Sequence, residues 1–151
     1  MSDDTVRLRD VEVADLEVFH AQEQDPEAAR RSRFEPRERE RFMTHWKERV
    51  LGDPDNLVQA VTVDGVLAGN LVAWTEGDGR RFIGYWLGRE FWGRGIGTRA
   101  LALFLERETT RPLYADPHEG NTASVRLLEK SGFRRAGTED EHVVLVLDEG
   151  R

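Results

Sequence analysis

The sequence predicts one α/β domain across residues 1–151, layered on a mixed sheet, and three observations carry that expectation. Runs with strand character at 56–63, Val66–Thr75 and Arg81–Leu87 are separated only by short turns, Asp64-Gly65 and Gly77-Asp78-Gly79, so they read as an antiparallel meander. Directly after it, Gly93, Gly95 and Gly97 alternate where an apolar-periodic helix opens. A strand, a second helix and a closing strand pair follow. A chain of 151 residues, 38% hydrophobic, can bury one core and leaves little room for two.

The elements follow in order. Thr5-Val6-Arg7-Leu8-Arg9 alternates polar and apolar side chains and reads as a strand that Asp10 ends. From 13 to about 24, Leu16, Phe19 and His20 fall at helical spacing, and Asp25-Pro26 stops the helix. Residues 28–34 read as a connecting loop or short helical turn. Pro36 suits a first helical position, and Phe42, Trp46, Val50 and Leu51 make a stripe that runs to Gly52. Gly84 inside the third meander strand reads equally as a bulge or a packing site. The helix after the glycines spans about 97–109, residues 111–116 read as a strand, and Asn121 caps a helix that Gly132 closes. Residues 133–136 and His142–Leu147 are the last strands, expected to pair.

Composition excludes several classes. A net charge of −7 repels nucleic acid, and the one basic stretch, 30–41, is interrupted by Glu35, Glu38 and Glu40, as a solvated helix face would be. Cysteine is absent, which removes disulfides, thiolate metal sites and a cysteine nucleophile. No apolar run approaches the ~18 residues that span a bilayer, and Met1-Ser2-Asp3-Asp4 is acidic where a signal peptide is basic. The expectation is a cytoplasmic protein without metal, nucleic-acid partner or membrane association.

The glycine stretch Trp92-Gly93-Arg94-Gly95-Ile96-Gly97-Thr98-Arg99-Ala100 carries the chemistry. Small residues leave main-chain N–H groups uncovered at the positive end of a helix, and Arg94 and Arg99 favour the same anionic ligand, so the stretch reads as a phosphate-binding turn. Gly95-x-Gly97-x-x-Ala100, with Asp116 at the end of the next strand, also satisfies a dinucleotide fingerprint. Against that alternative, 88–92 separates the glycines from the strand, and hairpins stand where parallel units are required. No lysine followed by Ser or Thr closes a P-loop.

The stretch from Tyr85 through Thr98, followed by Asn121-Thr122-Ala123-Ser124-Val125-Arg126-Leu127-Leu128-Glu129-Lys130-Ser131-Gly132-Phe133, resembles the GCN5-related N-acetyltransferases, and within them the branch that acetylates ribosomal-protein N-termini and its small-molecule relatives. The resemblance covers about 57–147. It implies helices on both faces of a mostly antiparallel sheet whose central strand pair is splayed. It also implies that the amides of Arg94, Gly95, Ile96, Gly97 and Thr98 hold the pyrophosphate of acetyl-CoA, with Arg99 and Lys130 beside it, and that the backbone of Trp86 and Leu87 pairs with the pantetheine arm. Asn121 would bond that arm while also capping its helix, and Ser124 would reach the thioester sulfur. A bulky β-branched residue at Gly97 is then expected to abolish cofactor binding and spare the fold.

Two family groups are missing. The tyrosine that often serves as general acid falls at Leu128, which has no proton to give, and the glutamate that often serves as base is replaced by Arg81 and Phe82. The acid is therefore Ser124, Tyr85 or water, or none is needed. The base candidates are Asp116, His118 and Glu119, with Glu76 weaker; an imidazole titrates near operating pH. The acceptor is an amine, a small molecule or a protein N-terminus, bound among Phe34, Trp46, Trp74 and Tyr85, and acidic neighbours favour a cationic one. A non-catalytic acyl-CoA-binding module is the alternative to an enzyme, and monomer or homodimer is the expected state.

Overall fold

Seven strands, β1 (Val6–Asp10), β2 (Leu57–Val63), β3 (Val66–Thr75), β4 (Arg81–Leu87), β5 (Leu113–Ala115), β6 (Arg134–Glu139) and β7 (His142–Leu147), form one sheet ordered β1-β2-β3-β4-β5-β7-β6. The structure is a computed structural model that describes residues 5–149, so the acidic stretch 1–4 lies outside the described residues. Every neighbouring pair is antiparallel except β4 and β5. The meander is as the alternation predicts, and the dinucleotide alternative fails on it, because a doubly wound sheet is built from parallel units.

Helices cover both faces. On one, α4 (Ile96–Arg107) and α5 (Thr122–Lys130) bury Ile96, Leu101, Phe104, Val125 and Leu128 against Val61, Leu71, Ile83 and Leu145. On the other, α1 (Asp15–Glu23) and α3 (Arg39–Thr44), which runs on into a π-helical turn (His45–Val50), enclose Leu16, Phe19, Phe42 and Trp46 over Ala60. Residues 28–34 are more regular than a connecting loop: Asp25 caps Pro26–Ser32, α2, by accepting the Glu27 N–H at 2.9 Å. Pro36 does not begin a helix. The buried Glu23 carboxylate takes the Arg37 N–H at 2.9 Å and its guanidinium at 2.7 Å, and Gln24 Nε2 donates to the Arg37 carbonyl at 2.9 Å. Those bonds occupy both main-chain groups of Arg37, and α3 starts two residues later.

Of the two readings of Gly84, bulge and packing site, the structure bears out the second. Gly84 pairs in register with Val72, and a Cβ there would sit 3.3 Å from the Trp74 ring, so it is a packing glycine. The irregularity is at Val61/Thr62, where β3 carries Ala68 as its extra residue. Its neighbour Gly69 is pressed onto β4: a Cβ would lie 2.0 Å from the Trp86 carbonyl oxygen. No main-chain shift at one residue absorbs that overlap.

The β4–β5 pair is the irregular one. It is in register only at Arg81↔Leu113 and Phe82↔Tyr114; from Ile83 on, β4 has no strand beside it on that edge. The 111–116 strand of the sequence reading shrinks to three residues for the same reason. All three pair with β7, the Val143 N–H donates to the Pro117 carbonyl at 2.9 Å, and a bridge joins His118 to His142, so the chain leaves with β7. Replacement of Gly69 by alanine is expected to destabilise the fold by about 1–3 kcal/mol, the cost of overpacking a closed interior, read as a lowered denaturation midpoint, whereas Gly77→Ala, outside the left-handed region and with nothing within 4 Å of its Cβ, loses less.

Candidate functional site at the parted strands

The opening between β4 and β5 exposes one parity of β4 main chain. The Gly88 N–H donates to the Ala68 carbonyl at 2.9 Å and the Trp86 carbonyl presses on Gly69, so even-numbered residues address β3 and odd-numbered ones address the gap. Leu87 follows this rule: its carbonyl turns away from β3 and accepts the Trp92 indole N–H at 3.1 Å. Of the two expected backbone partners, Leu87 faces the gap and Trp86 does not, because Trp86 is engaged with β3. Tyr85, one residue earlier, takes its place at the edge. The Trp86 side chain lies on the opposite face, where its indole donates to the Gln22 carbonyl at 3.2 Å and meets Phe34 edge-on at 5.7 Å.

The gap ends at the glycine turn, where the three glycines have two different reasons. Gly93 and Gly95 have φ of +72° and +74°, a region that L side chains enter at a cost, and a Cβ on either meets nothing within 4 Å. Gly97 is already helical, and a Cβ there would meet Leu127 Cδ1 of α5 at 2.6 Å and Leu87 Cδ1 at 3.5 Å. A bulky residue at Gly97 therefore attacks helix packing as well as the loop, contrary to the expectation that it would spare the fold. Gly95 is the α4 N-cap and offers no side chain, so the first-turn N–H groups of Ile96, Gly97 and Thr98 have neither an i−4 carbonyl nor a cap.

The arginines hold this turn from behind. Arg99 donates from Nη2 to the Arg94 carbonyl at 3.1 Å and from Nε to the Gly95 carbonyl at 3.3 Å, and Arg94 Nη1 reaches the Glu90 carbonyl at 3.3 Å. In a trans peptide the C=O and the next N–H point oppositely, so pinning those carbonyls turns the Gly95 and Ile96 amides away from Arg99. The helix adds its positive end. Lys130 stands one turn beyond Leu127, the residue that abuts Gly97. This cradle, open where a Cβ would have lain, fits a diphosphate.

Across the gap, α5 supplies Asn121 and Ser124. Asn121 Oδ1 accepts the Ser124 N–H at 3.3 Å, which is the cap the sequence indicates, and its Nδ2 remains the donor it can offer. The Ser124 hydroxyl meets the Tyr85 hydroxyl at 2.5 Å, and the same phenol lies 3.3 Å from the Ser124 carbonyl. Burial, partly offset by the Ser124 hydrogen bond, pushes the Tyr85 phenol up to about 12, so it is neutral through the physiological range.

The base candidates lie apart from this pair. At the end of β5, desolvation raises Asp116 above the usual carboxylate range; the negative charge of Glu76 adds to that, while His142 and Arg80 oppose it. His118 accepts the Gly120 N–H on Nδ1 at 2.9 Å and turns Nε2 toward Glu141 at 3.6 Å, so it latches the 116–120 loop to the β6–β7 turn. The Glu119 N–H donates to the Glu141 carbonyl at 2.8 Å in the same latch. Among the described residues no hydrogen bond or ion pair joins Asp116 or His118 to Tyr85 or Ser124. Arg81 is structural, held by the buried Glu108 at 2.9 Å and by Asp55 at 3.1 Å, and Leu128 is wholly buried. Of the aromatic residues, Trp46 is core at 6% exposure, whereas Trp74 is half-buried and stacks on Phe82 at 6.2 Å, with Tyr114 5.5 Å beyond. Sequence reasoning missed the Trp92 brace and the close approach at Gly69; the latter left one trace, a glycine inside the second meander run.

A family model described as "Acetyltransferase (GNAT) domain" matches residues 5–134. Among solved structures, the aminoglycoside acetyltransferase AAC(6′)-Ib in complex with coenzyme A and kanamycin superposes with a TM-score of 0.78 at 20% identity, covering 96% of this chain and 95% of that one. RimL, the ribosomal L7/L12 alpha-N-protein acetyltransferase, gives 0.73 at 22% identity over 94% of this chain and 88% of its own. The PaiA N-acetyltransferase from Thermoplasma acidophilum in complex with coenzyme A gives 0.70 at 14% identity, covering 95% and 99%. At these identities the likeness is one of fold.

The raised Tyr85 phenol has a consequence for stability. Above pH 10 the unfolded chain ionises this tyrosine while the folded one does not, so its contribution is complete below pH 10 and is lost as pH rises toward about 12. Chemical denaturation of the wild type across pH 9–12 is expected to show a steeper alkaline loss than Tyr85→Phe; equal slopes would contradict the buried neutral phenol.

Proposed function

We propose that this chain, which belongs to the GNAT acetyltransferase domain family, uses acetyl-CoA to acetylate a primary amine, either a small molecule or a protein N-terminus. One observation carries the reading: the edge of β4 left open after Phe82 runs straight to the uncapped first turn of α4. An extended arm with amides along it can lie against the open strand edge as a neighbouring strand would, and its diphosphate then meets the amides of 94–98. Of the structures named above, AAC(6′)-Ib and PaiA hold coenzyme A, and AAC(6′)-Ib and RimL are named for acceptors, an aminoglycoside and the alpha-amino group of a ribosomal protein, that are both amines.

The chemistry needs few groups. A neutral amine attacks the thioester carbonyl, the carbon–sulfur bond breaks, and sulfur leaves as a thiolate, with no covalent intermediate on the protein; the absence of cysteine accords with that. Gap-facing backbone of β4 is the nearest source of an N–H to polarise the carbonyl. Asp116 is the better-placed base by chemistry, since a carboxylate of raised pKa binds a proton more readily, and its charge suits a cationic acceptor. His118 has its Nδ1 engaged by the Gly120 N–H, which leaves Nε2 as its one nitrogen for a substrate.

Acetyl-CoA at about 100 times its Kd is expected to raise the melting temperature by roughly 5–10 °C, whereas NADH leaves it unchanged. A Gly95→Ala variant, strained at φ +74° but with nothing within 4 Å of its Cβ, should lose most of that rise. Thiol release with a panel of amines then distinguishes an enzyme from a binding module. A chain stabilised by NADH and not by acetyl-CoA would overturn the reading.

A further inference from the structure

His118 and His142 meet across the bridge between the chain after β5 and the start of β7, with their rings edge-on at 5.6 Å, and main chain engages one nitrogen of each. The two engagements are opposite in kind. The Gly120 N–H donates to His118 Nδ1 at 2.9 Å, so that nitrogen is unprotonated and the neutral ring carries its proton on Nε2. His142 Nδ1 lies 2.8 Å from the Asp116 carbonyl oxygen, which can only accept, so there Nδ1 carries the proton and Nε2 holds the lone pair. Among the described residues no hydrogen bond or ion pair engages that Nε2. A neutral His118 can only donate from its outer nitrogen, whereas a neutral His142 can take a proton there.

The register places this lone pair on a particular face. Tyr114 pairs with Val146, and the same register reaches the His118–His142 bridge, so Tyr114, Asp116, His118 and His142 share one face of the sheet. Trp74 pairs with Phe82 and Phe82 with Tyr114, so the aromatic stack lies on that face too, while Ile83 packs into the core beneath α4 and α5 on the other. The gap between β4 and β5 can thus be approached from this side without crossing the glycine turn. The charges around the ring are mostly negative. Asp116 senses both His142 and Glu76, Glu139 pairs with His142 in the ladder, and Glu141 precedes it in the turn. Against them stands Arg80, held by Asp78 at 2.8 Å and by Glu139 at 3.7 Å.

We propose that His142 is a second base of the acceptor site, its Nε2 taking the proton of an ammonium that the carboxylates of Asp116 and Glu76 draw in by charge. The proposal rests on the acetyl-CoA reading above and deepens it. An ammonium has no lone pair to attack with. Its proton passes to Nε2, the neutral amine bonds to the thioester carbonyl carbon, the carbon–sulfur pair goes to sulfur, and the second nitrogen proton neutralises the thiolate. The imidazolium keeps its Nδ1–H on the Asp116 carbonyl and returns the other proton to water. Asp116 serves twice, its main chain fixing the ring and its side chain meeting the cation.

NMR of isotope-labelled histidine reads the tautomers with no substrate present. His142 is expected to carry its proton on Nδ1 and His118 on Nε2; a neutral His142 protonated on Nε2 overturns the proposal. Thiol release from acetyl-CoA with kanamycin, a diaminoalkane and a peptide with a free N-terminus then tests the step. Asparagine puts an amide N–H where Nδ1–H stood, so His142→Asn keeps a donor for the Asp116 carbonyl and loses the base. With the most active of these amines, kcat is expected to fall about 100-fold with KM little changed, and to recover as rising pH supplies neutral amine from solution. An undiminished kcat overturns the base and leaves the acetyl-CoA reading standing. If acetyl-CoA raises the melting temperature but no amine releases thiol, the chain is a binding module, and the transferase reading and the base fall together.

Discussion

The shortness of the β4–β5 ladder is the constraint on which the site depends. Two residue pairs hold the strands together, and then β5 is claimed by β7: three register pairs, the Pro117 carbonyl bond and the His118–His142 bridge all draw the chain to that side. A strand edge left open inside a sheet exposes main-chain donors and acceptors that water or a ligand has to satisfy. Here the edge is flanked by α5 on one face and leads into the glycine turn, so what satisfies it can be extended, amide-bearing and anionic at one end. The latch on His118 and the register of β7 thus hold β5 on the β7 side of the gap. They keep the wedge open.

The second requirement is that the glycine turn present its amides outward, and the structure meets it with side chains. Arg99 and Arg94 grip carbonyls of the segment they belong to, and Trp92 grips the Leu87 carbonyl where β4 ends. The Arg31 guanidinium in turn lies 4.3 Å over the Trp92 ring, and Asp25 holds Arg89 through both carboxylate oxygens, the Nε contact being 2.9 Å. The α2 corner is therefore fastened to the turn at two points. Because α2 also leads to Phe34 and its edge-on contact with Trp86, the face opposite α5 is joined by packing to the glycine turn.

Much of this was legible in the sequence, for identifiable reasons. Alternation and two-residue turns depend on local chemistry, so the meander and the last strand pair come out with near-correct ends. The glycine turn was legible because φ > 0 and helix starts leave compositional marks. What escaped depends on distant partners. Pro36 carries a local preference for a helix start, but Glu23 and Gln24, on another element, occupy the backbone of Arg37 and override it. The place of Gly97 against Leu127, and the parity of β4 that turns Trp86 toward β3, are likewise set by contacts no window of sequence contains. Arg94 and Arg99 were rightly placed at the turn, yet they meet its carbonyls, a distinction that charge alone does not encode.

The raised phenol also limits the part Tyr85 can play in the proposed acetyl transfer. An acid held at about 12 lies well above the range in which an ordinary thiol ionises, near 8.5, so handing its proton to a thiolate would be uphill by more than three pH units. Tyr85 is thus poorly suited to be a proton donor and well suited to be a permanent hydrogen-bond donor, since nothing in the working pH range takes its proton away.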